Sequence, residues 1–113
     1  MNDSHPSWMP ERVRIGPLWF TVKAVPEPIS RDVHGNDDRR GHRLWGCINH
    51  TPQEIEINST SAPDRQFSIL LHEAIHAIEN DRGIELKEEQ VMQVANGISA
   101  FLLDNGFVRL KDE

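Results

Sequence analysis

The sequence contains a single cysteine, Cys47, and no long apolar run. One cysteine excludes an internal disulfide, and a chain without disulfides is typical of a reducing compartment. No stretch approaches the roughly 18 apolar residues of a membrane-spanning helix, and the N-terminal residues include no apolar run of signal-peptide length. We therefore expect a cytoplasmic protein without a membrane partner.

Basic residues are also scarce, since 12 lysines and arginines stand against 18 aspartates and glutamates, a formal net charge of −6. Nucleic-acid binding requires a concentrated positive surface, so this balance argues against nucleic acid as the main partner. The basic residues cluster once, after Asp37 and Asp38, where the mixture of charges predicts a solvated loop rather than a phosphate site: Arg39, Arg40, His42 and Arg43.

The length of 113 residues predicts one domain with a modest core over the whole chain. Residues 1–12 are polar and include two prolines, which predicts a flexible arm. The sequence of residues 14–18 predicts a turn that leads into a strand. Strand patterns follow at 19–25, 44–50 and 54–58, and the last two are close enough to form an antiparallel hairpin. We expect an α+β fold with a three-stranded sheet, antiparallel or mixed.

Two amphipathic helices are predicted to pack antiparallel against this sheet. The first begins at Ser61, which can cap the helix ahead of Pro63, and ends at Gly83. Its helical spacing places these residues on one buried stripe: Phe67, Leu70, Leu71, Ala74, Ile75 and Ile78. The second spans about 87–105 and has this predicted inner face: Val91, Val94, Ala95, Ile98, Phe101 and Leu102.

The first helix contains the pattern His-Glu-x-x-His as His72, Glu73 and His76. Residues four apart lie on one helix face, so the two imidazoles can bind one ion. Glu73 lies one position round, where it can act as general base on a water in the ion's open coordination position. This pattern predicts a zinc site, with His72 and His76 as ligands.

A catalytic zinc usually takes three protein ligands, so one more is needed. Glu88 and Glu89 both lie in the first turn of the second helix, and Glu88 is in phase with its apolar face. We therefore expect Glu88 to be the ligand, with Glu89 as the alternative. In a tight antiparallel helix pair, however, the residue level with His76 would be near Met92, so the connection must shift the second helix.

Three segments together resemble a known family. They are Leu-Leu-His-Glu-Ala-Ile-His-Ala-Ile-Glu at 70–79, Leu-Lys-Glu-Glu-Gln-Val-x-x-Val-Ala-x-Gly at 86–97, and Leu-x-Asp-Asn at 102–105. Over residues 19–106 the chain resembles the small zincin-type metallopeptidases of phages and prophages, which are distantly similar to the ImmA/IrrE metallo-endopeptidase group. The first motif is widely shared, whereas its combination with the Glu-Glu-x-Val helix is more specific.

The resemblance implies a zincin-like fold and a cytoplasmic phage or prophage product in a bacterial host that hydrolyses peptide bonds. It implies zinc held by His72, His76 and Glu88 (or Glu89), with Glu73 as the base and a zinc-bound water as the nucleophile. Many zincins stabilise the oxyanion with a tyrosine or histidine. This chain has no tyrosine, which leaves zinc itself, His42, His50 or an arginine for that role.

Two other functions are compatible with the same residues. In a small domain a metal site can serve only to stabilise the fold. The chain would then be a non-catalytic, zinc-stabilised protein-interaction module of phage origin. A non-proteolytic hydrolase is the third possibility. Structural zinc sites are usually closed by four ligands and rich in cysteine, so we favour the metallopeptidase, with a peptide or protein as substrate. Residues 54–58 are the candidate for binding that substrate by strand addition, and an ordinary structural strand is the alternative.

Overall fold

The computed structural model describes residues 5–26, 28, 46–49 and 53–110. Four strands and two helices follow one another as β1 (Arg12–Ile15), β2 (Leu18–Val25), β3 (Gly46–Asn49), β4 (Glu54–Asn58), α1 (Pro63–Arg82) and α2 (Glu88–Asp104). The predicted α+β class is therefore confirmed. In the described part of the chain, neither helix combines the length and apolar character needed to cross a membrane.

Within the described residues the sheet has four strands in the order β1-β2-β4-β3, so the predicted count of three is wrong. It is a mixed sheet, because β2 and β4 are parallel while the other two pairs are antiparallel. The predicted hairpin of the last two strands is confirmed, with Cys47 opposite Glu56 and Ile48 opposite Ile55. Residues 44, 45 and 50 of the predicted second strand lie outside the described residues.

The additional strand β1 precedes the first predicted strand and pairs with it through a two-residue turn. Gly16 in this turn has φ +57°, a left-handed conformation that glycine adopts without steric cost, and Pro17 follows it. Ile15 pairs with Leu18 directly across the turn. The glycine and proline between residues 14 and 18 indicated a turn correctly, but the four residues before them were too few to show alternation.

The core lies between the sheet and α1. Phe20, Val22 and Ala24 of β2 and Ile55 and Ile57 of β4 are at most 2% exposed, because adjacent parallel strands present their alternate side chains to the same face. Helix α1 covers this face with these residues: Ile69, Leu70, Ala74 and Ala77.

Residues 5–11, part of the predicted N-terminal arm, contact this core. Met9 is 3% exposed, and the Trp8 ring packs edge-on against Phe67 of α1 with 5.9 Å between ring centroids. Residues 1–4 lie outside the described part of the chain.

A buried asparagine fixes the connection from β4 to α1. The Oδ1 atom of Asn58 accepts two hydrogen bonds from Thr60, one from the backbone N–H at 2.9 Å and one from the Thr60 hydroxyl at 2.5 Å. The helix cap is Ala62, and the buried Ser61 hydroxyl has no hydrogen-bond partner, so the predicted Ser61 cap is wrong. Pro63 in the first turn and Gly83 at the end, with φ +70°, agree with the predicted limits.

Helix α2 packs against α1 and, among the described elements, contacts no strand. This corrects the prediction that both helices lie on the sheet. Because α1 is covered by strands on one side and by α2 on another, its buried residues form a broader set than one stripe: Gln66, Phe67, Ile69, Leu70, Glu73 and Ala77. On α2, Val91, Ala95 and Ser99 are buried.

The two predicted apolar stripes are therefore partly wrong. Ile78 of α1 is exposed, and so are Val94, Ile98 and Phe101 of α2. Among the described elements α2 packs against α1 alone, and three of the six residues of its predicted inner face are exposed.

This packing predicts opposite outcomes for two isoleucines. Ile57→Ala removes a side chain with no exposed surface and should lower the free energy of unfolding by about 2–5 kcal/mol. Ile98→Ala, at a position 41% exposed, should change it by less than about 1 kcal/mol. Urea unfolding of the two variants measures both values, and an equal loss in the two would contradict an uncovered outer face of α2.

Candidate metal centre

Three predicted ligands meet where the C-terminal half of α1 lies beside the start of α2. The Nε2 atom of His72 is 2.8 Å from one Glu88 carboxylate oxygen, and the Nε2 atom of His76 is 3.0 Å from the other. One ligand atom from each of the three residues lies within 4.8 Å of the other two. The two rings are 5.0 Å apart between centroids, as expected for residues on successive turns.

Glu88 lies opposite His76 because of the offset between α1 and α2 along their axes. Ser68 of α1 hydrogen-bonds to Asn96 of α2, so positions eight residues before His76 and eight residues after Glu88 also meet. This offset differs by four residues from the pairing of His76 with Met92 that is expected of the tightest antiparallel helix pair. The connection at 83–87 supplies the shift that the sequence required of it.

Of the two candidate glutamates, the structure brings only Glu88 to the histidines. Glu89 is an exposed residue of the first turn of α2 and lies outside the group. The phase of α2 explains the difference, because Glu88 shares a side of the helix with the buried Val91 and Ala95.

The chemistry of this group fits a bound cation. An ionised carboxylate only accepts hydrogen bonds, so each imidazole nitrogen that faces Glu88 needs a proton or a metal ion between the two atoms. Two imidazole nitrogens and a carboxylate are an established ligand set of catalytic zinc. Ligand atoms on tetrahedral arms of about 2.05 Å are about 3.3 Å apart, so the present 2.8 and 3.0 Å separations would open by only a few tenths of an ångström.

The site is open on the side of α2. The Glu88 side chain is 68% exposed, against 18% for His72 and 29% for His76. An ion held by these three residues would therefore have free coordination space facing solvent, as a catalytic zinc requires.

Glu73 lies on the buried side of the same helix and is 8% exposed. Burial raises the pKa of Glu73 from 4.5 to about 7, an effect that nearby His76 opposes and Glu88 adds to. One of its carboxylate oxygens lies 3.6 Å from the place that a Cβ atom would take at Gly46, at the start of β3. Glu73 is thus within electrostatic reach of the ligand group and of the edge of the sheet.

Glu79 belongs to the site and was missed by the sequence reasoning. One of its oxygens is 2.8 Å from Nδ1 of His76, and the other accepts a hydrogen bond from the Leu86 backbone N–H at 2.6 Å. The Leu86 N–H holds the pKa of Glu79 below its usual range, with His76 contributing. The signal for it was available, because Glu79 lies three residues after His76 and shares its helix face.

Other side chains of ligand type do not join the group in the described part of the chain. Asp81 and Glu85 lie outside it. Cys47 is buried, and burial together with the nearby Glu56 and Glu73 raises its pKa to about 12, so its thiol stays protonated. His42 and His50, the histidines considered for oxyanion stabilisation, lie outside the described residues.

No protein-family model, curated protein or solved structure matches this chain. Support for a function therefore comes from the side-chain arrangement itself: two histidines, an exposed glutamate and a buried glutamate held by two packed helices.

We predict that the purified protein binds about one zinc per chain, and that Glu88→Ala weakens this binding strongly while Glu89→Ala changes it little. Only Glu88 supplies an oxygen to the histidine pair. Titration of the metal-free variants with zinc against a competing chelator measures both affinities. The reverse order of the two variants would mean that α2 is turned by one residue in solution.

The buried carboxyl predicts a pH dependence of metal-free protein. Because the pKa of folded Glu73 is about 7, above its ordinary 4.5, the fold disfavours the ionised form. Stability should fall as pH rises between these values, by an amount on the order of 3 kcal/mol. Glu73→Gln removes this loss. The free energy of unfolding of the variant, measured in urea, should therefore rise relative to that of the wild type between pH 4 and pH 8. Parallel pH profiles for the two proteins would contradict the claim that the fold disfavours ionised Glu73.

Proposed function

We propose that this chain is a zinc-dependent metallopeptidase, a hydrolase of peptide bonds. The observation that carries the proposal is the convergence of His72, His76 and Glu88, with Glu73 buried beside them. Two neutral ligands and one carboxylate leave a bound zinc with a net positive charge, which a Lewis acid needs. The exposed side at Glu88 leaves room for a substrate to reach it.

Each residue has a distinct role in this proposal. His72, His76 and Glu88 would hold the ion, which when bound would polarise the scissile carbonyl and lower the pKa of water. Glu73 accepts the proton of the attacking water and delivers it to the leaving amine. Burial keeps the pKa of Glu73 near neutrality in the ion-free protein, and a neighbouring cation would shift it back towards the ionised, proton-accepting form.

The substrate would bind as an extended strand at the edge of the sheet beside α1. The predicted place for this, residues 54–58, is wrong, because β4 is paired on both sides, with β2 and with β3. Among the described strands, β1 and β3 each pair on one side only and contact α1, and β3 is the one whose Gly46 lies near Glu73. We therefore place peptide binding at the edge of Gly46–Asn49.

The sequence resemblance is consistent with this activity. It extends the proposal to a zincin-like member of the small phage and prophage metallopeptidases that acts in the cytoplasm of a bacterial host. The single cysteine of the sequence, which is buried, suits that reducing compartment.

One observation favours the interaction module as a second candidate. Helix α2 and the residues after it expose large apolar side chains, and two of their rings, Phe101 and Phe107, lie 5.7 Å apart. Exposed apolar surface of this kind is typical of protein contacts. In that case the metal would only join α1 to α2.

Glu73→Gln separates the two candidates. If the protein is a peptidase, the variant should keep its zinc and fold while its turnover falls by at least about 100-fold, because an amide cannot accept the proton. The measurement is cleavage of a peptide library, with zinc content determined on the same samples. Glu89→Gln is the matched control, since it removes the same charge from an exposed glutamate near the site.

Cleavage that survives Glu73→Gln undiminished would contradict the mechanism. A zinc-loaded wild-type protein with no cleavage of any library peptide would favour the interaction module.

A further inference from the structure

The Glu79 carboxylate joins the two halves of the metal centre. One oxygen contacts Nδ1 of His76, a proposed ligand from α1, and the other holds the backbone N–H of Leu86, two residues before Glu88 of α2. The side chain is only 12% exposed. Its own carbonyl also accepts from the N–H groups of Gly83 and Ile84, which ends α1.

The first contact favours a neutral His76 with its proton on Nδ1, and it does so without competition once a cation lies between Nε2 and Glu88. Glu79 can only accept, so the hydrogen bond at 2.8 Å requires a proton on Nδ1. In a neutral imidazole the other nitrogen, Nε2, then has a free electron pair. That atom is the one directed at Glu88.

The second contact fixes the distance along the chain to Glu88. With Leu86 held by Glu79, Lys87 caps α2, and its backbone N–H donates to Oε1 of Gln90. Glu88 is therefore the first residue of α2, and it lies at the level of His76 on α1. Without this anchor the level of α2 depends on helix packing and on the hydrogen bond between Ser68 and Asn96.

We propose that Glu79 is the positioning residue of this metal centre: it selects the His76 tautomer that can bind zinc and sets the place of Glu88. The role rests on the proposed zinc function. It differs from that of His76 and Glu88, because Glu79 contacts one of the ligands and would not contact the ion. Carboxylates that orient a ligand histidine typically contribute about 10- to 100-fold in metal affinity.

Two substitutions separate the two contacts. In Glu79→Gln the amide oxygen can still accept from Leu86 N–H, but the amide NH₂ group then faces Nδ1 of His76 and donates to it. The proton of a neutral His76 must move to Nε2, which blocks the ligand atom. Glu79→Ala removes both contacts and leaves the tautomer free. Glu85→Gln is the matched control, since Glu85 is exposed in the same connection.

The positioning role predicts a combination of zinc affinities and melting temperatures that a purely structural contact would not give. Zinc affinity, measured by competition with a chelator, should fall by about 10- to 100-fold in both Glu79 variants and stay unchanged in Glu85→Gln. The melting temperature of the metal-free protein should fall in Glu79→Ala but little in Glu79→Gln. In metal-free Glu88→Ala protein at about pH 9, where the Glu88 carboxylate no longer faces Nε2, ¹⁵N spectra should show His76 protonated on Nδ1, and on Nε2 when Glu79→Gln is added.

Three results would overturn the proposal. Wild-type zinc affinity in Glu79→Gln, or an unchanged His76 tautomer, would remove the positioning role while leaving the zinc function standing. A loss of affinity confined to Glu79→Ala, in step with its melting temperature, would reduce Glu79 to a structural contact. A wild-type protein that binds no zinc would overturn the proposed function and the positioning role together.

Discussion

The constraint on which this structure depends is that three electron-pair donors face one another across less than 5 Å. The imidazoles of His72 and His76 bond to the carboxylate of Glu88 only if each nitrogen that faces it carries a proton or if a cation lies among the three groups. Helix geometry alone supplies the histidine pair. Glu88 comes from a different helix, so its position requires the whole α1–α2 pair to be held in one offset.

Two polar anchors maintain that arrangement. Asn58, fully buried at the end of β4, holds the turn from which α1 starts, and thereby the direction in which the histidines point. Glu79 holds the connection from which α2 starts. Between them α1 packs on the sheet and buries Glu73, which places an acid of raised pKa next to the ligands. Stability and site chemistry therefore depend on the same helix.

Local patterns in the sequence predicted the local features. The four-residue spacing of His72 and His76, the stop at Gly83 and the hairpin of β3 and β4 each follow from neighbouring residues, and each is present. Contacts between distant segments were harder to predict. The parallel pairing of β2 with β4 joins residues more than 30 apart, and it makes β4 an interior strand instead of the expected edge. Periodicity also does not show how many sides of α2 are covered.

The central claim is that an open, three-ligand zinc site lies between α1 and α2, and a crystal structure of the zinc-loaded protein with diffraction data collected at the zinc absorption edge tests it most directly. The account predicts one anomalous peak bonded to Nε2 of His72, Nε2 of His76 and the Glu88 carboxylate at about 2.0–2.2 Å, with no fourth protein ligand. A peak elsewhere, or one closed by a fourth side chain, would contradict it.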